Sequence, residues 1–127
     1  MTSMILDAGA LLAWERADRS LVARLEAAQR HGLDLRTTGI VVAQAWRDPA
    51  GRQARLARLL RAVDTVPVDE RLGRRAGELV GAAGTSDPID ATVVAVATTG
   101  DRVLTSDVDD IGRLAAAAGV TLRIVHC

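Results

Sequence analysis

Aspartates at a few fixed places are the residues of this sequence best suited to chemistry. Asp7 ends the apolar run Met4-Ile5-Leu6 and is followed by Ala8-Gly9-Ala10. Ser86-Asp87-Pro88-Ile89-Asp90 forms a turn that leads into Ala91-Thr92-Val93-Val94-Ala95-Val96-Ala97. Thr105-Ser106-Asp107-Val108-Asp109-Asp110 repeats that plan after another short apolar run. Hard divalent cations such as Mg²⁺ and Mn²⁺ take a few carboxylate oxygens plus water and substrate phosphate. Three or four aspartates meeting in one crevice suit metal-assisted phosphodiester hydrolysis. Helix capping accounts for some of the same residues, since Asp87 with Asp90 and Asp107 with Asp110 share the D-x-x-D spacing of a helix start. Asp7 and Asp90 are the two that capping explains least, because each borders an apolar run in which an ionised side chain is costly.

The acids can meet only if the intervening chain brings strand tips and helix starts to one edge. The pattern predicts strands over Met4–Leu6, Leu33–Thr38, Thr65–Val68, Arg102–Thr105 and Leu122–Val125. Between them it predicts helices over Gly9–Glu15, from Ser20 to a stop at His31-Gly32, Ile40–Arg47, Arg52–Val63, Glu70–Ala83, Pro88–Thr98 and Val108–Ala118. Pro67 places the third strand near a sheet edge. Strands alternating with helices through short links specify a parallel sheet covered on both faces, with candidate ligands at the carboxyl ends of the strands. The 127 residues fit a single domain.

Composition narrows the function. The formal net charge is zero, so nucleic acid is not coated through bulk charge. All 16 basic residues are arginine, which excludes chemistry that needs a lysine amine. With two tryptophans and no Phe or Tyr, a platform for stacking single-stranded bases is not expected. The lone cysteine, Cys127, fits a reducing cytoplasm, and no apolar run reaches the length of a membrane span. A receiver domain is set aside for want of its late lysine. A dinucleotide fold is disfavoured because no G-x-G-x-x-G follows the first strand.

Ile5-Leu6-Asp7-Ala8-Gly9-Ala10-Leu11, Asp90-Ala91-Thr92-Val93-Val94-Ala95-Val96-Ala97 and Val103-Leu104-Thr105-Ser106-Asp107-Val108-Asp109-Asp110-Ile111 resemble the acidic motifs of PIN-domain proteins. Length and element order are similar to those of the VapC toxins of type II VapBC toxin–antitoxin systems. The resemblance implies a three-layer α/β/α sandwich with a mostly parallel central sheet. It also implies a Mg²⁺- or Mn²⁺-dependent endoribonuclease that cleaves RNA, is held by a small VapB-like antitoxin, and forms a homodimer or a toxin–antitoxin hetero-oligomer. By position, Asp7, Asp90 and Asp107 would be the catalytic and metal-binding acids and Asp110 a fourth ligand. Relatives place a glutamate where this chain has Gln44, a residue that can still ligate but brings no charge. The alternative that follows is a catalytically weakened or inactive PIN-like binding module that acts through protein complexes. Asp48, one turn beyond Gln44, either compensates for the lost charge or simply opens the Pro49 turn. Arg55, Arg58 and Arg61, with Arg47 and Arg52 nearby, either engage RNA phosphates or an acidic partner or simply form a solvated helix face. The apolar ridges at Leu11, Leu12 and Trp14 and at Leu56, Leu59 and Leu60 are read as core, dimer seam or antitoxin groove.

Overall fold

Strand β1 (Ser3–Leu6) is buried along its whole length, and that is why its sequence is a continuous apolar run rather than an alternation. The computed structural model describes residues 2–127. After β1 come α1 (Ala8–Glu15), α2 (Arg19–Arg30), β2 (Asp34–Thr38), α3 (Gly39–Ala45), a short 3₁₀ turn at Pro49–Gly51, α4 (Ala54–Arg61) and β3 (Val63–Val66). The chain continues through α5 (Glu70–Ala83), α6 (Pro88–Ala95), β4 (Arg102–Thr105), α7 (Val108–Ala118) and β5 (Arg123–His126).

All four strand pairings are parallel, in the order β3-β2-β1-β4-β5. Parallel connections are right-handed. The steps from β1 to β2 and from β2 to β3 therefore carry α1–α4 over one face, and the steps from β3 to β4 and from β4 to β5 carry α5–α7 over the other. Packing agrees: α1 lies against α2, α3 and α4, while α5, α6 and α7 lie against one another. The expected α/β architecture with a central parallel sheet is the one observed. Ile5, Leu6, Leu11, Val93, Leu104 and Ile111 form the middle of the core.

Several boundaries move for identifiable reasons. Asp18, not Ser20, caps α2, its Oδ1 accepting the Leu21 N–H at 3.0 Å. Helix α4 stops at Arg61, two residues short of the Val63 expected, because Val63 is needed as the buried first residue of β3 opposite Leu35. The third strand consequently lies two residues earlier than Thr65–Val68. Pro67 cannot donate to a ladder and ends it, and β3 is an edge strand as expected. Helix α6 ends at Ala95 rather than Thr98, and α3 at Ala45 rather than Arg47.

The apolar ridges resolve mainly into core. Leu11 and Leu56 are fully buried and Leu59 nearly so, since α1 and α4 pack together; Leu12, Trp14 and Leu60 are half-buried against that core. Their contact is fixed at the surface as well. Trp14 Nε1 donates to the Arg55 carbonyl at 3.2 Å, Arg55 Nε returns a bond to the Trp14 carbonyl at 3.3 Å, and the guanidinium lies 5.4 Å from the indole centroid.

A buried acid, Asp101, joins the start of β4 to the start of β1. Its Oδ1 accepts the Ser3 N–H at 2.9 Å, and its Oδ2 accepts the Thr98 N–H at 2.9 Å. Asp101→Ala strands the buried Ser3 donor and frees the Thr98 N–H, and is expected to cost about 1–3 kcal/mol in urea unfolding. Helix α5 offers the opposite case. Gly77 lies on its exposed side with nothing within 4 Å of where a Cβ would stand. Gly77→Ala is expected to add about 0.5–1 kcal/mol by the same measurement.

Candidate metal centre

The connections leaving β1 and β4 run to opposite faces of the sheet, so the gap between their carboxyl ends is a topological switch point. Asp7 follows β1 directly, and Asp107 follows β4 by two residues. Helix α6 runs back from the same edge toward the start of β4, which leaves Asp90 in its first turn at that edge. One ligand oxygen from each of Asp90, Asp107 and Asp110 lies within 4.8 Å of the others. Asp7 stands outside that trio, yet its charge is felt at Asp90.

Asp7, Asp87 and Asp107 are oriented by ordinary helix-start physics. Asp7 is the N-cap of α1: Oδ1 accepts the Ala10 N–H at 3.0 Å, and Oδ2 accepts the Ser106 N–H at 3.1 Å. That second bond ties the first strand's acid to the loop carrying Asp107. Asp87 and Asp107 cap α6 and α7, in both cases through Oδ1 alone. At Asp87 and Asp107 capping and cation binding are thus compatible, because the cap uses one carboxylate oxygen and leaves the other.

Four threonines brace the arrangement. Thr37 Oγ1 donates to the Leu6 carbonyl at 2.7 Å, just before Asp7. Thr38 and Thr92 share a hydroxyl bond of 2.9 Å that links the end of β2 to the first turns of α6. Thr105 Oγ1 accepts the Asp107 N–H at 2.9 Å. Gly9 admits the close approach of the Asp107 loop: a Cβ there would lie 2.8 Å from Ser106 Oγ and 2.9 Å from Ser106 Cβ.

The electrostatics are those of crowded like charges. Asp90 is buried, and its carboxyl is pushed up to about 7, first by burial and then by the charges of Asp87, Asp107 and Asp7. Asp110 is raised too, by desolvation and by Asp107, with Arg113 at 3.4 Å pulling the other way. A buried carboxylate beside other carboxylates, all hard oxygen donors, is a donor set that fits a divalent cation.

Gln44 brings no charge to these acids. It is exposed on α3. Asp48 opens the turn before α4: its φ is 48°, and its Oδ1 accepts the Gln53 N–H at 3.3 Å. The turn reading of Asp48 is therefore the one that holds. The hub of that turn is Gln53, which the sequence reading passed over. Gln53 is buried, accepts the Arg47 N–H at 2.6 Å and the Asp48 N–H through Oε1, and donates to the Ala45 carbonyl at 2.9 Å and to Glu15 at 3.2 Å. No local signal distinguishes Gln53 from a surface glutamine.

The fold recurs in solved structures at low sequence identity. VapBC2 from Rickettsia felis, bound to a DNA fragment from its promoter, aligns with a TM-score of 0.72 at 14% identity, covering 98% of this chain and 99% of the other. FitAcB from Neisseria gonorrhoeae aligns at 0.64 and 18%, covering 94% and 96%. FitAB bound to the IR36 DNA fragment aligns at 0.62 and 17%, covering 95% and 94%. Among curated proteins no sequence matches the chain. The model of the PIN domain matches residues 4–117, from within β1 nearly to the end of α7, and the chain belongs to the PIN domain family.

Proposed function

We propose that this chain is a Mg²⁺- or Mn²⁺-dependent endoribonuclease, the toxin of a type II toxin–antitoxin pair, acting as a single domain in the cytoplasm. The observation that carries the reading is the convergence of Asp90, Asp107 and Asp110 at the switch point, with Asp7 bonded to the same loop. Asp7, Asp90 and Asp107 are the catalytic acids, and Asp110 completes the cation's protein ligands. A bound divalent cation would neutralise the scissile phosphate and acidify the attacking water. The chain's own part is positional. Ala10 N–H and Ser106 N–H fix the rotation of the Asp7 carboxylate, and the caps at Asp87 and Asp107 fix the first turns of α6 and α7. The antitoxin, a small VapB-like protein, is proposed from the motif resemblance and from the fold shared with VapBC2 and FitAB.

RNA cleavage in Mg²⁺ should be abolished by EDTA and by Asp7→Asn; unchanged cleavage in both cases defeats the proposal. Gln44 favours one second reading, a PIN module that binds without cutting, because the position brings no charge and is exposed. Gln44→Glu separates the two. A severalfold rise in Mg²⁺ affinity and cleavage rate is expected of a weakened nuclease, whereas no change in either marks a module that only binds.

A further inference from the structure

Asp90 differs from the acids beside it in how it is held. The carboxylates of Asp7 and Asp107 accept backbone N–H groups, whereas among the described residues no N–H bonds to the carboxylate of Asp90. Its direction is therefore inherited from its own backbone. The peptide unit that joins Ile89 to Asp90 is gripped at both ends. Thr92 Oγ1 donates to the Ile89 carbonyl at 2.7 Å, and the Asp90 N–H reaches Asp87 Oδ1 at 3.4 Å.

A threonine in a helix divides its time between rotamers, one of which returns its hydroxyl to a carbonyl of the preceding turn. Here a second contact selects that rotamer. Thr38, at the end of β2 and 54 residues earlier, places its Oγ1 2.9 Å from Thr92 Oγ1. Because the Thr92 proton is committed to the Ile89 carbonyl, the proton between the two hydroxyls comes from Thr38. Both threonines are buried, where a hydrogen bond is stronger than in water. Thr38 forgoes a local role to make this contact. It occupies the N-cap of α3, where a threonine ordinarily accepts a first-turn N–H, and its side chain makes no such bond. The neighbouring Thr37 points to the other side of the pleat and donates to the carbonyl of Leu6, just before Asp7. The two threonines that end β2 thus each bear on the carbonyl before an acid, Thr37 directly and Thr38 through Thr92.

We propose that Thr38 and Thr92 are positioning residues for Asp90: the directed hydroxyl bonds from Thr38 to Thr92 and from Thr92 to the Ile89 carbonyl set the first turn of α6 and hold the Asp90 carboxylate against Asp107 and Asp110. The proposal rests on the metal-site reading above. Plain packing makes a different prediction, because valine keeps the shape of threonine and removes only the hydroxyl.

The probe is Mn²⁺ alone, its free concentration followed by electron paramagnetic resonance with the full chain and no RNA. Thr92→Val should weaken Mn²⁺ binding about tenfold, the loss that follows removal of an outer partner of a metal ligand, while Thr92→Ser stays within about threefold of the parent. Thr38→Val leaves Thr92 its bond to Ile89 and should fall between the two. In Mg²⁺, kcat for RNA should fall in the same order, with KM within about twofold of the parent. A further readout needs no cation. The Ala91 N–H closes the first turn of α6 on the Asp87 carbonyl at 3.3 Å. In EDTA this amide should exchange with deuterium severalfold faster in both valine variants than in the parent or Thr92→Ser, with the Leu104 amide unchanged. Should Thr92→Val fail to melt cooperatively, Thr38→Val carries the test. The proposal is overturned if the folded valine variants keep parental Mn²⁺ affinity, or if Thr92→Ser loses as much as Thr92→Val. A parent that binds no Mn²⁺ defeats the metal-site reading instead, and amide exchange then decides: equal rates in all four chains overturn the positioning.

Discussion

Asp90→Asn should lower Mg²⁺-dependent RNA cleavage by at least about a hundredfold and, in EDTA, make the folded protein more stable than its parent. Loss of activity follows from removing the one cluster acid that is buried. The gain in stability follows from linkage. Asp90 has a carboxyl raised from 3.8 to about 7 in the fold. Between those values the native chain retains a proton that the unfolded chain has released, so native stability falls as pH rises across that window. Near pH 7 the parent bears the accumulated cost, on the order of 2–4 kcal/mol, whereas near pH 4 the two proteins should differ little. Urea denaturation of both at several pH values reads the slope directly. Added Mg²⁺ should stabilise the parent, most strongly near neutral pH, and leave Asp90→Asn nearly unmoved. Equal stability of the two proteins at neutral pH would mean that the acids do not crowd Asp90 as described.

Gly9→Ala is the second large effect, and it needs no change of charge. The new methyl would sit 2.8 Å from Ser106 Oγ and 2.9 Å from Ser106 Cβ, closer than real Cβ contacts come. Either α1 or the loop before α7 must yield, and that loop holds both the Ser106 N–H bonded to Asp7 and the Asp107 carboxylate. A displacement of about 1 Å at a reacting centre is worth roughly a hundredfold in rate. Cleavage should fall by about that factor with helix content preserved. Ser106→Gly removes both offending atoms, so Gly9→Ala with Ser106→Gly should recover most of the activity. Failure of that rescue, with Ser106→Gly alone still active, would place the fault elsewhere than in this contact.

The sequence carried the acids and the order of elements because both are local signals. Asp7, Asp90 and Asp107 each end or begin an apolar run, and the ranges of β4, α5 and α7 follow directly from periodicity and from the glycines that stop the helices. What escaped is long-range. Gln53, Asp101, Thr37 and Thr38 act on partners far away in the chain or on backbone across a turn, and nothing nearby marks them as buried. Gly9 reads as part of a small-residue turn, and only the position of Ser106, nearly a hundred residues away, reveals why it is small. The pairing of Arg102 with Arg123 was likewise invisible, because it depends on β4 and β5 being neighbours in parallel register. Gln44 was legible as a departure in type, but its exposure was not.

The clasp between Trp14 and Arg55 gives the molecule a built-in optical gauge. Without Phe or Tyr, ultraviolet emission comes from Trp14 and Trp46 alone. Trp14 sits near the far end of the helix whose first turn is anchored by Asp7, under a cation that the neighbouring helix supplies. Any tilt of that helix that accompanies events at the carboxylates changes the distance between indole and guanidinium, and with it the quantum yield. The protein thereby reports on its own acidic edge by fluorescence, with no label attached.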